Sequence, residues 1–365
     1  MTRKWNYEPL TSEEQRLEND LAHHYAGAPV ISELLVQRGI TTVDEAERFF
    51  HPSLRYLHDP FLMPGMDRAV ERLNKALGSK ERILVYGDYD VDGTTAVALV
   101  YKYIRNFYSN IDYYIPTRDD EGYGISNAVI DMAAEQGVKL IIILDCGIKA
   151  NAEIAYARSL GIDFIICDHH VPDEELPDAV AILNPKLEGS TYPCSHLSGC
   201  GVGFKFMQAF AMSNALAPAD LEGMLDLVAV SIAADLVPMV DENRVMTYHG
   251  LRRLNSNPNL GLRAIIRICG LVGMQSGREA VELLVARDST DALHRARAID
   301  QYNRDRKELD KRITEEANDI ISQRGEAEAD KKALVIYNKN WHRGIIGIVA
   351  SRLTELYYKP SVVLT

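Results

Sequence analysis

The stretch Ile83-Leu84-Val85-Tyr86-Gly87-Asp88-Tyr89-Asp90-Val91-Asp92-Gly93-Thr94-Thr95 decides how this chain is read. A short apolar run ends in a glycine, and three acids follow at alternate positions. The run Ile83 to Tyr86 is continuous rather than alternating, which suits a strand buried on both faces. In extended chain, alternate residues point to one side, so the three carboxylates are expected together at a strand end. Carboxylates that close repel one another unless cations sit among them. Read alone, the triplet is equally a solvated acidic turn. A calcium-binding EF-hand fails on two counts. The twelfth loop position falls on Leu99 where a bidentate Glu is needed, and a strand precedes the loop where a helix should.

Outward from this stretch the pattern repeats. Tyr113 to Ile115, Leu140 to Leu144 and Phe164 to Cys167 are further apolar runs. Segments of helical period lie between them: Ala96 to Phe107, Asn127 to Glu135 and Ala150 to Leu160. The alternation predicts an α/β fold, a doubly wound, mostly parallel sheet with helices on both faces. Ligands of such sheets sit at the carboxyl ends of the strands. Residues 1–78 read as a helical N-terminal leader, with helix starts at Ser12-Glu13-Glu14 and Thr42-Val43-Asp44-Glu45. Residues 79–250 are expected to form the α/β domain. Residues 251–328 form a helical region with a long exposed connector helix over Asp291 to Arg324. Residues 329–365 then start a second α/β domain: strand Ala333 to Tyr337, helix Gly344 to Leu356, strand Ser361 to Leu364. A β-α-β start without its remainder reads as a domain cut short.

Composition narrows the function classes. The 365 residues carry 40 basic and 52 acidic side chains, a formal charge of −12, so binding nucleic acid through a basic face alone is not expected. An acidic total still fits a nucleic-acid enzyme whose carboxylates are neutralised by bound ions. The longest apolar runs fall far short of the roughly 20 residues of a membrane span, so no membrane association is expected. No apolar stretch follows the basic N-terminus, which argues against a secretory signal. Five cysteines without a CxxC pair indicate neither a disulfide framework nor a zinc knuckle, and a reducing cytoplasm is the expected location.

Three more acidic groups stand at element ends: Asp145 in Leu144-Asp145-Cys146-Gly147, Cys167-Asp168-His169-His170, and Asp235 in Ala234-Asp235-Leu236. Each taken singly reads as a cap or turn residue. Together they bring carboxylates and imidazoles to one sheet edge. That donor set suits a divalent metal such as Mn²⁺. So many anionic ligands point to two ions, whose usual task is to clamp a phosphoryl group. No Walker A motif, GxGxxG spacing or GxSxG elbow occurs, which demotes nucleotide-binding and serine-hydrolase readings.

These motifs resemble those of the DHH phosphoesterase superfamily, on Asp88-Tyr-Asp-Val-Asp-Gly, Asp145-Cys-Gly, Asp168-His-His and Ala-Asp235. The closer similarity is to its RecJ-like single-strand-specific exonuclease branch. It is carried by Gly122-Tyr123-Gly124, Ala181-Ile-Leu-Asn-Pro185, Leu35-Val-Gln-Arg-Gly39, Asp59-Pro-Phe-Leu-Met-Pro and Asn340-Trp-His-Arg-Gly-Ile-Ile-Gly. The resemblance implies a metal-dependent exonuclease that hydrolyses phosphodiester bonds of single-stranded DNA, 5′ to 3′, in recombination and repair. It implies two divalent ions, Mn²⁺ or Mg²⁺, held by Asp88, Asp90, Asp92, Asp145, His169 and Asp235, with Asp145 bridging. It places His170 beside the scissile phosphate and Asp168 behind a histidine. Arg118 and Tyr123 would approach the strand, and His342 and Arg343 would receive a phosphate at a helix start. Partners by resemblance are single-stranded DNA, a helicase and a single-strand-binding protein. The rivals are a DHH phosphoesterase of short oligonucleotides, cyclic dinucleotides or pyrophosphate, and an inactive replication scaffold. Tyr86 and Asp88 stand where the superfamily's pyrophosphatases carry a His, and every acid and histidine of the pattern is present.

Overall fold

The computed structural model describes residues 7, 9–24, 29–117, 124–269, 277–324 and 331–365. The chain divides into two compact units, Met1–Asn259 and Leu260–Thr365. Among the described residues, no helix is long and apolar enough to cross a membrane.

The first unit begins with helices α1 (Ser12–His24), α2 (Pro29–Val36) and α3 (Val43–Phe50). Thr42 caps α3 in a capping box with Glu45, as the Thr-x-x-Glu spacing predicts. Leu21, Leu35, Val36 and Ala46 close a small core among these helices. Helix α4 (Met66–Gly78) leads into β1 (Arg82–Gly87), followed by α5 (Val91–Arg105), β2 (Ile111–Tyr114), α6 (Asn127–Glu135), β3 (Val138–Leu144), α7 (Asn151–Ser159), β4 (Asp163–Cys167) and β5 (Ala181–Leu183). The strands form one sheet in the order β2-β1-β3-β4-β5, every pairing parallel.

Strand periodicity divides the core. Leu84, Tyr86, Ile141, Ile143, Phe164 and Ile166 pack against Val129, Ile130 and Ala133 of α6 and Ile154 and Ala157 of α7. The intervening Ile83, Val85, Leu140, Ile142, Leu144 and Ile165 are equally buried and face the other way. Helices α8 (Gly199–Ser213) and α10 (Leu225–Ala234) join α5 on that second face, and short α9 (Pro218–Glu222) and α11 (Asp241–Ser256) complete the unit. Each buried Ile or Leu contributes about 1.5–3 kcal/mol. Two covered faces explain why the strands read as unbroken apolar runs.

The second unit contains α12 (Leu260–Cys269), α13 (Gly277–Leu284), the 36-residue α14 (Ser289–Arg324), β6 (Leu334–Tyr337), α15 (Arg343–Tyr357) and β7 (Ser361–Leu364). β6 and β7 pair in parallel. The long helix differs from the exposed connector that its charge content predicts. It buries two separate stripes. Ala292, Ala296 and Ile299 pack with Ala264, Ile265 and Leu283, while Ile313, Ala317 and Ile321 pack with Leu334, Ile336, Trp341, Val349 and Leu353. Small or isolated apolar residues at helical spacing are easily masked by the charges around them.

Candidate metal centre

In a sheet of order 2-1-3-4-5 the chain leaves β1 toward β2 on one side and toward β3 on the other. The crevice that opens beyond the carboxyl ends of β1 and β3 is the place for a ligand. Asp88 directly follows β1, Asp145 directly follows β3, and Asp168 directly follows β4. Topology alone therefore brings three acids to one edge.

The triplet Asp88, Asp90, Asp92 does not stay extended, as its alternation predicts. Asp90 is the N-cap of α5, its carboxylate accepting from Gly93 N at 3.0 Å, so the helix begins at Val91 and carries Asp92 away along its first turn. The acids are thus shared between two groups. Asp88, Asp90 and Asp145 form one; Asp92, His169 and Asp235 form the other; and Asp145 also groups with His169 and His170. Within each group one ligand atom per residue lies within 4.8 Å of the others. Asp235 arrives from the C-cap of α10.

Two glycines make these approaches possible. A Cβ on Gly93 would stand 2.4 Å from the Asp88 carbonyl oxygen, and one on Gly199 would stand 2.6 Å from Asp145 Cβ and Oδ1. Asp145 itself has φ 60°, left-handed backbone that Asp and Asn tolerate better than other side chains.

His169 tests whether the site fits a metal. It is buried, with Nε2 3.1 Å from Asp145 Oδ1 and 3.6 Å from both Asp92 Oδ2 and Asp235 Oδ2. Neither of its ring nitrogens makes a hydrogen bond. Burial, then the charge of His170, holds its pKa below the ordinary imidazole value, so it stays neutral, the form that ligates. A buried neutral imidazole aimed among carboxylate oxygens has no better partner than a cation. The donor set fits a divalent ion.

The carboxylates agree. Burial, and then the charges of Asp92, Asp90, Asp168 and Asp88, push Asp145 well above the usual carboxyl range. Burial raises Asp92 to about 7, against the pull of its hydrogen-bond donors. Bound cations reverse both effects.

Asp92 shows what the sequence hid. Its Oδ2 accepts from Gly199 N at 2.7 Å, and its Oδ1 accepts from Cys200 N at 2.7 Å and Ser231 Oγ at 2.7 Å. The first two donors are the N-terminus of α8, where backbone N–H groups favour an anion. The glycine-rich run from Gly199 to Gly203, which fails as a dinucleotide fingerprint, is the seat of this carboxylate. Ser231→Ala removes one donor and is expected to weaken Mn²⁺ binding about 10–100-fold. An Mn²⁺ titration of the folded variant checks this, and unchanged affinity contradicts it.

Asp168 is fully buried and holds His170. Its Oδ1 accepts from His169 N (2.7 Å), His170 N (3.1 Å) and His170 Nδ1 (2.7 Å), and its Oδ2 accepts from Ile148 N (3.0 Å). Burial alone would raise its pKa, but these donors and the His170 charge hold it below the usual value. The same pair raises His170 above the ordinary imidazole range. The His170 side chain is 44% exposed, so one edge faces solvent. Asn184, which the sequence offers only within Ala181-Ile-Leu-Asn-Pro185 and with no role of its own, is buried and fixes the His170 carbonyl through its Nδ2 at 2.9 Å.

Arg118 and Tyr123 lie outside the described residues. His342 and Arg343 belong to the second unit. His342 is the N-cap of α15, its Nδ1 accepting from Gly344 N at 3.1 Å, and the neighbouring Trp341 is buried with its indole N–H on Glu316. Cys146, Cys167, Cys194 and Cys200 are free and buried.

Residues 82–232 match the family described as DHH family, N-terminal domain. The chain is 39% identical to the Single-stranded-DNA-specific exonuclease RecJ of Bacillus subtilis (strain 168), over 92% of this chain and 44% of that protein. It is 33% identical to the protein of that name from Escherichia coli (strain K12), over 92% of this chain and 63% of that protein. The chain therefore spans about half to two thirds of the length of these relatives. A crystal structure of exonuclease RecJ bound to manganese is similar at a TM-score of 0.73 and 27% identity, over 86% of this chain and 82% of that one.

Proposed function

We propose, on the premise that residues 82–232 match the DHH family's N-terminal domain, that this chain is the phosphodiester-hydrolysing part of a metal-dependent exonuclease acting on single-stranded DNA. One observation carries the reading: two groups of donors meet at Asp145 and His169, at the switch point of the sheet. Such an arrangement of donors supports a pair of divalent ions.

We assign Asp88, Asp90 and Asp145 to one ion and Asp92, His169 and Asp235 to the other, with Asp145 common to both. Mn²⁺ is the ion we propose, with Mg²⁺ the alternative; similar RecJ structures carry one or the other. Bound there, divalent ions supply Lewis-acid polarisation of a phosphoryl oxygen and a nucleophile at neutral pH. The chain's own groups do the rest. His170, kept protonated by the ionised Asp168 behind it, faces the scissile phosphate, stabilises its growing charge and gives a proton to the leaving oxygen. Asp168 is a positioning residue: it fixes the ring and its tautomer. Asp92, held by the α8 N-terminus, keeps its ligand atom still.

A 5′ to 3′ direction and a role in recombination and repair in the cytoplasm complete the proposal. So do a helicase that supplies single strands and a single-strand-binding protein as partners.

The test is nucleotide release from matched single-stranded and blunt duplex DNA, with and without Mn²⁺, each strand labelled separately at its two ends. Release that needs the metal, is confined to single strands and starts at the 5′ end is expected. Efficient cutting of the blunt duplex without a helicase overturns the strand preference. Release only from very short oligonucleotides favours a small-substrate phosphoesterase instead.

A further inference from the structure

One loop beside the carboxylates is strained yet packs little. α10 ends at Ala234, Asp235 caps it, and residues 236–240 lead into α11. Leu236 has φ 56°, the left-handed region that favours glycine, and it is 86% exposed. Met239 and Val240, 40% and 48% exposed, add to the apolar surface. A leucine there bears backbone strain and gains almost no burial in return.

The loop is held rather than loose. The buried Asn243 donates from Nδ2 to the Pro238 carbonyl at 3.0 Å and to the His196 carbonyl at 2.5 Å. Pro238 in turn restricts Val237 to extended backbone. The outcome is a fixed loop that carries exposed apolar side chains, and Leu236 is one peptide away from Asp235, whose Oδ2 lies 3.6 Å from His169 Nε2.

A strand that brings a phosphate to the carboxylate cluster brings its bases too. A base offers the only large apolar face in the substrate, and apolar side chains such as Leu and Met pack against or between bases. We propose that Leu236, backed by Met239 and Val240, is a platform for the nucleobase next to the scissile phosphate. The proposal rests on the single-strand reading above and deepens it. A base in a single strand can swing free of its neighbour and of any pairing partner, whereas in a duplex pairing and stacking hold it in place. The loop is therefore a specificity element: it rewards a base that is free to turn onto it, which a paired and stacked base is not.

Burying a leucine side chain against a base is worth enough to move KM about tenfold. The experiment crosses two changes. One is Leu236→Ser or Leu236→Gly. The other is an abasic residue in place of the end nucleotide of the single strand. KM and kcat are measured with Mn²⁺, and strand affinity by fluorescence anisotropy with Ca²⁺. On the natural strand each variant is expected to raise KM and weaken affinity about tenfold. The abasic strand should cost the wild-type protein a similar factor and cost the variants nothing further. Leu236→Gly takes the left-handed backbone without strain, so an undiminished melting temperature in that variant separates a lost contact from a damaged fold. Equal losses on natural and abasic strands overturn the proposal, as does no loss on the natural strand. A wild-type protein that cuts single strands with no such coupling removes this inference alone. One that cuts no single strand removes the parent reading as well.

Discussion

Asp145→Asn is expected to lower kcat by more than about 100-fold, beyond what loss of an outer hydrogen-bond partner costs, while raising the melting temperature of the metal-free protein. The two effects have one cause. Asp145 groups with Asp88 and Asp90 on one side and with His169 and His170 on the other, and its carboxylate is crowded by Asp92, Asp90, Asp168 and Asp88. Its folded pKa is raised above the unfolded value of about 3.9. For an acid shifted upward, the penalty is absent below the unfolded pKa and grows as pH rises toward the folded one. Asparagine removes that penalty, so the stability gain should be largest at neutral pH and vanish near pH 4. Asn also accepts the left-handed φ of 60°, whereas Ala would add about 1–2 kcal/mol of backbone strain and blur the comparison. Saturating Mn²⁺ should reverse the order, because a ligand stabilises only the state that binds it. Thermal melts with EDTA and with Mn²⁺ at several pH values, alongside turnover, make the check. A variant that retains wild-type turnover contradicts the bridging assignment.

Glu242→Ala should destabilise the first unit by about 3–5 kcal/mol, the cost of leaving a buried charge without its partner. Lys205 and Glu242 are both fully buried, with Lys205 Nζ 2.8 Å from Glu242 Oε1. The same Oε1 accepts from His58 N at 2.8 Å, Glu242 Oε2 accepts from the Tyr192 hydroxyl, and Lys205 Nζ also donates to the His58 carbonyl at 2.6 Å. Burial holds the Lys205 pKa below its ordinary value, but the pair sustains it. The network ties the segment before α4 to α8 and α11. For a unit of this size the loss corresponds to a drop of roughly 10 °C in melting temperature. Lys205→Met combined with Glu242→Gln removes both charges and should recover most of it. A single variant that melts within a degree or two of wild type would show that water reaches the ammonium.

What the sequence made legible is what local chemistry encodes. The runs Ile83 to Tyr86 and Leu140 to Leu144 had to be doubly buried strands, and acids at the carboxyl ends of parallel strands had to converge. Asp168 and His170 stand two residues apart, so their pairing was within reach. The support of Asp92 was not. Its donors, Gly199, Cys200 and Ser231, lie more than 100 residues away, and no spacing rule links them. The strand Ala181–Leu183 is too short for any periodicity to show, although Asn184 just beyond it fixes His170. The alternation at Asp88, Asp90 and Asp92 misled for a related reason. It has the period of a strand, but the capping strength of Asp90 turns the chain into a helix midway through it.

The two buried stripes of α14 make its length a matter of phase. Ile299 closes one core and Ile313 opens the other, so about 21 Å of helix separates them at 1.5 Å per residue. Along that span the helix acts as a keyed shaft. One residue inserted between them would turn the second stripe by about 100° relative to the first and push it outward by a single rise. Seven residues, close to two full turns, would restore the angle and change only the separation. Evolution can therefore shorten or extend this shaft in steps of whole turns, while single-residue insertions and deletions in it are closed off.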